Sequence, residues 1–281
     1  MLLADAPALL YRAFFALPDS IKGADGEPVN ALLGSTNALL QVVEEHGPRA
    51  VVVCFGQESA AYRVEAYPPY HASRPAMPEP LRAQFAAAPA LYEALGWTVA
   101  DHPDLEADDL LGALARREAE HGGRALVLTG DRDLFQCASE RVTVLIQRTG
   151  GKGPEAVGPE RVREWYGIAP EQVPDFIALR GDPSDGLPGA KGIGEKTAAD
   201  LLRRHGSLEA ALAGAVRESK PTVRRALLEQ ADELRMFKDV ATLRDADVAL
   251  PADRPTNRAA GADAAEALGM QRLAVRLRTQ T

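Results

Sequence analysis

Leu105-Glu106-Ala107-Asp108-Asp109-Leu110-Leu111-Gly112 sets three carboxylates in four positions, directly ahead of an apolar-periodic run. Carboxylates this close repel one another, and the free N–H groups and dipole of a helix start relieve part of that repulsion. Capping needs only one or two acids, and a divalent cation is the stronger reason to hold three together. On this stretch alone both readings stand, because an acidic first turn is an ordinary helix-start signal. A helical turn sets Glu106 and Asp109 about 60° apart with Asp108 off that line, so the three cannot all face one way. Asp108 or Asp109 is expected to reach a metal directly, and Glu106 to act at longer range.

The run after the acids predicts a helix over Ala107 to Glu120. It sits in an alternation of short apolar runs and helical patterns. The runs are Met1 to Ala4, Ala50 to Phe55, Trp97 to Ala100, Arg124 to Thr129 and Val142 to Gln147, with a further helix over Ala31 to Glu45. Strand and helix in alternation imply an α/β fold with a mostly parallel central sheet flanked by helices. Ligands of such sheets sit at the carboxyl ends of the strands. Asp5 follows the first strand, Gly56 the second, and Asp131 and Asp133 the Arg124 to Thr129 strand. Acids more than a hundred residues apart thus converge on one edge, where a solvated Gly-Asp-Arg-Asp turn alone would mean little. Pooled carboxylates without nearby His or Cys favour magnesium or manganese over zinc.

Prolines crowd the stretch from Tyr67 to Pro80 and forbid a regular interior element until Leu81, where a helical run begins that Pro89 interrupts. It reads as a segment beside the acid edge, with Arg63, His71, Arg74 and Arg82 able to meet phosphates; the plain alternative is a surface excursion. From Pro159 the pattern is all-helical: Pro159 to Tyr166, Pro170 to Leu179, Lys196 to His205, Leu208 to Gly214 and Pro221 to Thr242. At its entry Asp182 and Asp185 precede Lys191-Gly192-Ile193-Gly194-Glu195-Lys196-Thr197. Bare glycine N–H groups before a helix suit a phosphate. A nucleotide loop is rejected, since Glu195 separates Gly194 from Lys196-Thr197 and no strand comes first. The alternatives left are a nonspecific clamp on a nucleic-acid backbone and a plain turn between helices. Three segments are expected: an α/β core over 1–158, a helical lobe over 159–250, and a linker with a final helix over 251–281.

Composition permits this reading without demanding it. The chain has 281 residues, 46% hydrophobic and 26% charged, an ordinary globular balance with material for a sizeable core. No apolar run approaches a membrane span and no signal peptide is visible, so a cytoplasmic, nucleoid-associated protein is expected. Cys54 and Cys137 read as buried thiols in a reducing compartment. The net charge of -8 argues at first sight against nucleic acid, but a carboxylate cluster contributes much of that excess.

Read in order, the motifs resemble the bacterial 5′-nuclease family, the flap endonucleases and the 5′-nuclease domain of DNA polymerase I. The matching pieces are Asp5 with Leu10-Tyr11-Arg12-Ala13-Phe14, Tyr70-His71-Ala72-Ser73-Arg74, Glu106-Ala107-Asp108-Asp109, Thr129-Gly130-Asp131-Arg132-Asp133-Leu134, and Gly181-Asp182-Pro183-Ser184-Asp185 through Thr197. The resemblance spans about Met1 to Leu250. It implies a helical arch over the acid edge (about 63–95) and a helical lobe that grips duplex DNA and holds potassium near the glycine hairpin. It further implies metal-dependent cleavage near 5′ ends, at 5′ flaps and at branched junctions. Two divalent ions about 3.5–4 Å apart would activate a water and stabilise the leaving oxygen. Carried over by position, Asp5, Glu106, Asp108, Asp109, Asp131, Asp133, Asp182 and Asp185 hold two or more Mg²⁺ or Mn²⁺ ions. Arg12, His71 and Arg74 serve the scissile phosphate. Arg63, Arg82, Lys191, Gly192, Gly194, Lys196 and Thr197 contact DNA.

There are two departures. The family has Phe-Asp where this chain has Phe55-Gly56, and a lysine where it has His71. Altered metal preference or rate is expected, with Gly56→Asp and His71→Lys as probes. A junction-binding protein with decayed catalysis is the competing reading; a ribonuclease on a similar sheet would leave Gly192 to Thr197 unexplained. A stand-alone nuclease would hand its nicks to separate polymerase and ligase partners.

Overall fold

Residues 1–148 and 153–279 are described in the computed structural model. Its strands are β1 (Leu2–Asp5), β2 (Val51–Cys54), β3 (Thr98–Ala100), β4 (Ala125–Thr129), β5 (Val142–Ile146) and β6 (Glu155–Val157). They form one sheet in the order β3-β2-β1-β4-β5-β6, parallel throughout except for β6 against β5. After β1 come α1 (Ala6–Ala16) and α2 (Asn30–His46), after β2 come α3 (Ala61–Ala66) and α4 (Glu79–Ala94), and after β3 comes α5 (Ala107–Glu120). Past β6 the chain is helical: α6 (Pro159–Tyr166), α7 (Val173–Arg180), α8 (Glu195–His205), α9 (Leu208–Ala213), α10 (Pro221–Glu229), α11 (Ala231–Ala241), α12 (Arg258–Ala267) and α13 (Gln271–Thr279). The expected α/β architecture, with its parallel sheet and C-terminal helical lobe, is therefore present.

Every residue of β1 and β2 is buried, as continuous Leu and Val runs require when helices cover both faces of a sheet. Alternate side chains feed two cores. Leu3, Val52, Val127 and Val144 pack with Leu110 and Leu114 of α5, and this core continues into the lobe through Phe176, Leu201 and Phe237. Leu2, Val51, Val53 and Leu128 pack on the other face with Leu9, Leu39 and Leu91, together with Leu273 and Leu277 of α13.

Four local departures have physical causes. Helix α1 escapes sequence reading because Ala6 to Ala16 is apolar on nearly every side, which hides its period; Asp5 caps it through a 2.9 Å bond from the Ala8 N–H. Pro89 does not break α4, because burial of Leu81, Ala88, Leu91 and Tyr92 outweighs one missing helix bond. Those two helices therefore belong to the packed layers. Of the stretch 63–95 expected as an arch, Tyr70, His71, Arg74 and Pro75 of the strap 67–78 line the cleft at the acid edge, while Leu81, Ala88, Leu91 and Tyr92 of α4 pack into the second core. The pattern over Pro221 to Thr242 is interrupted at Gln230, between α10 and α11.

The tail is the fourth. Instead of a linker and one helix, it forms two helices separated at Gly269, whose φ is +80°. Ala262, Ala265, Leu273, Ala274 and Leu277 are buried in the second core. Arg49 bonds the Pro251 carbonyl and the Asp253 carboxylate, both at 2.9 Å, and Trp97 Nε1 donates to Thr256 Oγ1 at 3.0 Å. The segment before α12 is thus fastened to the α/β core. Among the described residues no helix is long and apolar enough to cross a membrane. Cys54 and Cys137 are free thiols, and burial raises both pKa values, Cys137 to about 12.

Candidate active site at the acid-lined edge of the sheet

In the strand order found here the crossovers change direction between β1 and β4, and the crevice outside that switch point is where a ligand fits. It is open to a cleft of about 960 Å³ lined by Asp5, Glu106, Asp108, Asp131, Asp133, Asp182 and Asp185. β1 delivers Asp5, the start of α5 delivers Glu106 and Asp108, the turn after β4 delivers Asp131 and Asp133, and the hairpin after α7 delivers Asp182 and Asp185.

Local hydrogen bonds fix each acid. Asp5 Oδ2 accepts from Thr129 Oγ1 at 2.6 Å, and the same Thr129 oxygen accepts the Asp131 N–H at 2.9 Å. The Asp131 carboxylate in turn takes the Asp133 N–H at 2.8 Å. Asp182 is pinned by the Ser184 N–H and hydroxyl, in a hairpin whose Asp182 and Leu187 backbones exchange two 2.8 Å bonds. Asp185 accepts from His71 Nε2 at 3.1 Å and Arg74 Nη2 at 3.0 Å.

Burial raises the carboxyl pKa of Asp5 against the bonds from Thr129 and Ala8. Asp108 is raised well above the ordinary range by burial, then by the charges of Asp5, Asp131 and Glu106. Asp131 is pushed up to about 6 by burial, with Asp185, Asp5 and Asp182 acting the same way against the Asp133 N–H. Asp133 is raised by burial and by Asp131, Asp185 and Asp182, opposed by Arg180. Acids from four segments thus act on one another across one cleft, a donor set of hard oxygens with an excess of negative charge, which divalent cations fit. Among the described residues no three of them close into a preformed cage around one point.

Two expected site residues have other work. Asp109 is fully buried and does not line the cleft. Its carboxylate accepts two bonds from Arg63 (2.8 and 2.9 Å), and others from Tyr62 Oη, the Glu106 N–H and the Arg244 N–H. With Glu106 it forms the capping box of α5, so the capping reading holds for Asp109, and metal ligation does not. Arg63, expected on DNA, is buried at 3% exposure between Asp109, Glu106 (3.2 Å) and the Val240 carbonyl (3.0 Å). Glu106 divides its oxygens between the Ala60 N–H and Tyr70 Oη, at 2.7 and 3.0 Å, while still lining the cleft.

The remaining cations are spread out. Arg12 donates to the Arg148 carbonyl and is outside the cleft lining. Arg82 is exposed and paired with Glu79 at 3.4 Å. His71 and Arg74 do line the cleft. His71 is buried in the left-handed region (φ 55°), its ring stacked 3.7 Å from Tyr70, with Nδ1 2.9 Å from Ser59 Oγ and 3.1 Å from the Glu58 carbonyl. It therefore ties the strap to the loop after β2 and to the hairpin at once. Sequence reasoning passed over Thr129, Tyr70 and Arg180; their signal was position, at the end of a strand, within the proline-rich stretch and directly before Gly181-Asp182.

Gly56 is not a gap in the wall. A Cβ there would lie 2.6 Å from the Leu105 carbonyl oxygen, 2.7 Å from the Ala107 nitrogen and 2.7 Å from the Glu106 carbonyl carbon. The backbone of the acidic stretch occupies the space, and a 2.8 Å bond from the Gln57 N–H to Leu105 seals the approach. Away from the cleft, the lobe carries the glycine turn before α8. Gly192 has φ +77°, Gly194 faces open space, and Lys191 and Lys196 are exposed beside them while Thr197 is half-buried.

Comparison with known proteins agrees with this geometry. Residues 1–167 match the family described as 5′-3′ exonuclease, N-terminal resolvase-like domain, and residues 168–264 match 5′-3′ exonuclease, C-terminal SAM fold. DNA polymerase I of Thermus thermophilus is 42% identical over 246 residues, 87% of this chain and 28% of that one. DNA polymerase I of Mycobacterium tuberculosis is 42% identical over 209 residues, 74% of this chain and 23% of that one. The chain thus spans about a quarter of the length of these relatives. In fold it is similar to the bacteriophage T5 flap endonuclease solved as a pseudo-enzyme-product complex with DNA and metal ions. That likeness has a TM-score of 0.72 at 17% identity and covers 99% of this chain and 96% of that one. The catalytic core of Rad2 in complex with DNA substrate is also similar (TM-score 0.65, 14% identity, 99% and 90% covered).

Proposed function

The chain belongs to the 5′-3′ exonuclease family, and on that premise we propose that it is a structure-specific 5′-nuclease hydrolysing DNA phosphodiesters near 5′ ends and at 5′ flaps or branched junctions. The observation that carries this reading is the convergence of eight carboxylates from five segments, Glu58 of the loop after β2 among them, on the β1/β4 crevice. Asp5, Asp108, Asp131, Asp133, Asp182 and Asp185 would hold two or more Mg²⁺ or Mn²⁺ ions, with Glu106 at longer range. The chemistry such ions supply is a nucleophilic water at neutral pH and neutralisation of charge on the phosphate and leaving oxygen.

The chain's own residues do the positioning. Thr129 fixes the Asp5 carboxylate and the Asp131 backbone in one bond chain, which sets the floor of the site. His71 holds Asp185 and the strap together, and Arg74, 39% exposed, presents charge from the strap toward an incoming phosphate. Lys191, Lys196, Thr197 and the Gly192–Gly194 backbone would meet the duplex, with a potassium ion near the glycine turn; potassium-dependent binding of plain duplex tests that. Nicked product would pass to a polymerase and a ligase in the cytoplasm, at the nucleoid.

A labelled 5′-flap duplex with and without Mg²⁺ or Mn²⁺, beside Asp131→Ala, tests the reading. Metal-dependent cleavage lost in the variant is expected. Tight flap binding with no cleavage at any metal concentration would refute it in favour of a junction-binding protein.

A further inference from the structure

The cations lining the acid cleft are His71, Arg74, Arg132 and Arg180, and they differ in how firmly they are held. Both ring nitrogens of His71 already have partners. Arg74 hangs from the exposed strap by one contact to Asp185, and exposed Arg132 reaches outward to Tyr166 Oη at 3.3 Å. Arg180 is different. It closes α7, where the negative end of the helix dipole favours a cation. Its guanidinium sits 5.2 Å from the centre of the Phe176 ring, Nε donates to the Gly181 carbonyl at 3.0 Å and Nη2 to Asp182 Oδ2 at 3.1 Å. These contacts lock a planar fork against the acid ring with its side chain 24% exposed. They use one N–H of Nε and one of Nη2, and among the described residues Nη1 has no partner. The unspent edge is the one with which an arginine grips two phosphate oxygens.

We propose that Arg180 is a catalytic residue of this nuclease, a preorganised permanent cation that binds a non-bridging oxygen of the scissile phosphate. This rests on the nuclease reading above. In hydrolysis the water oxygen bonds to phosphorus, the bond from phosphorus to the leaving sugar oxygen breaks, and that oxygen departs with a proton from the water. Arg180 neither gives nor takes a proton; it meets the charge that grows on the phosphoryl oxygens in the transition state. A cation held rigidly beforehand needs no reorganisation as that charge grows. His71 and Arg74 are less suited: the first is committed to holding the hairpin, and the second is carried on an exposed segment.

The experiment uses the full chain on a 5′-flap duplex across a Mn²⁺ titration carried to saturation, comparing wild type with Arg180→Ala and Arg180→Lys in single turnover. Arg180→Ala should lose about 10²–10³-fold in rate, the cost of removing one preorganised donor. Its flap affinity, measured in Ca²⁺, should change less than threefold. Arg180→Lys should recover part of the rate, and added guanidinium ion at low millimolar concentration should partly rescue Arg180→Ala. A loss that disappears on raising Mn²⁺ would show that Arg180 only holds Asp182, and overturns the proposal; so does a rate within threefold of wild type.

A second readout needs no turnover. Fluorescence anisotropy on a nicked duplex should show wild type preferring a 5′-phosphate over a 5′-hydroxyl, and Arg180→Ala losing that preference. A preference retained in the variant overturns the proposal. Should Arg180→Ala fail to fold, Arg180→Gln carries the same comparisons. Wild type that binds but never cuts overturns the nuclease reading itself, whereas wild type that cuts as fast as Arg180→Ala overturns only the role given to Arg180.

Discussion

Replacing Arg63 by Met should damage the protein more than any surface arginine would, and the structure gives the size of the effect. Arg63 supplies both N–H bonds of a bidentate pair to Asp109, which is 0% exposed. Without it Asp109 keeps only neutral donors, Tyr62 Oη and the N–H groups of Glu106 and Arg244. Breaking a buried pair by removing one partner costs about 3–5 kcal/mol, because a buried charge is left uncompensated. For a chain of this length each kcal/mol lowers the melting temperature by about 2 °C, so Arg63→Met should lose roughly 6–10 °C. Removing both partners leaves no stranded charge at 109, although Glu106, 3.2 Å from Arg63, still loses its cation, so Arg63→Met with Asp109→Leu should recover part of that loss. Differential scanning calorimetry on the two variants decides it. A single-variant shift below 2 °C, or a double variant no better than the single, would refute the claim that this pair is a buried structural knot. A strong metal-binding defect in Asp109→Asn with an unchanged melting temperature would refute it from the other side.

Gly56→Asp should lower the melting temperature and fail to speed cleavage, since its Cβ would meet three backbone atoms at 2.6–2.7 Å; faster cleavage at unchanged stability would contradict the packing argument. Buried Glu118 has its pKa held below 4.5, first by the Arg49 hydrogen bond and then by the charges of Arg49, the Met1 amine and His121, against burial. Its stabilisation is therefore complete above about pH 4.5 and lost as pH falls through the lower folded value. The melting-temperature gap between wild type and Glu118→Gln should close as pH falls below about 4.5; a gap that widens on acidification would reverse the sign. Leu273→Asp, in the core face of α13, should cost more than 3 kcal/mol in urea unfolding, as burying an unpaired charge does; a shift within 0.5 kcal/mol would restore the tail to a mere appendage.

What could be read from residues alone was what depends on neighbours in sequence. The bounds of α5 follow from its apolar period, and the buried strands from unbroken Val and Leu runs between turn residues. The acid edge was legible because the rule that ligands sit at strand carboxyl ends needs only the order of elements. The destination of each carboxylate was not. Asp108 and Asp109 are adjacent, equally charged and share one helical turn, yet the partner that separates their roles, Arg63, lies 46 positions away. Likewise the glycine at 56 looked like a missing ligand because nothing local reveals that the Leu105–Ala107 backbone occupies its side-chain volume. Helix α1 and the strand Glu155–Val157 failed for opposite reasons, one being apolar all round and the other only three residues long.

The close approach at Gly56 also constrains how this chain can change. Aspartate, the residue that the resemblance to the 5′-nuclease family implies for position 56, differs from this chain by one amino-acid substitution. That step lands on occupied space. For an acid to be accepted at 56, the loop carrying Leu105 to Ala107 would first have to move back, and that loop is tied through Glu106 to Tyr70 and Ala60 and through Asp109 to Arg63. The nearest sequence is thus not the nearest structure, and the knot would have to loosen before position 56 could take an acid.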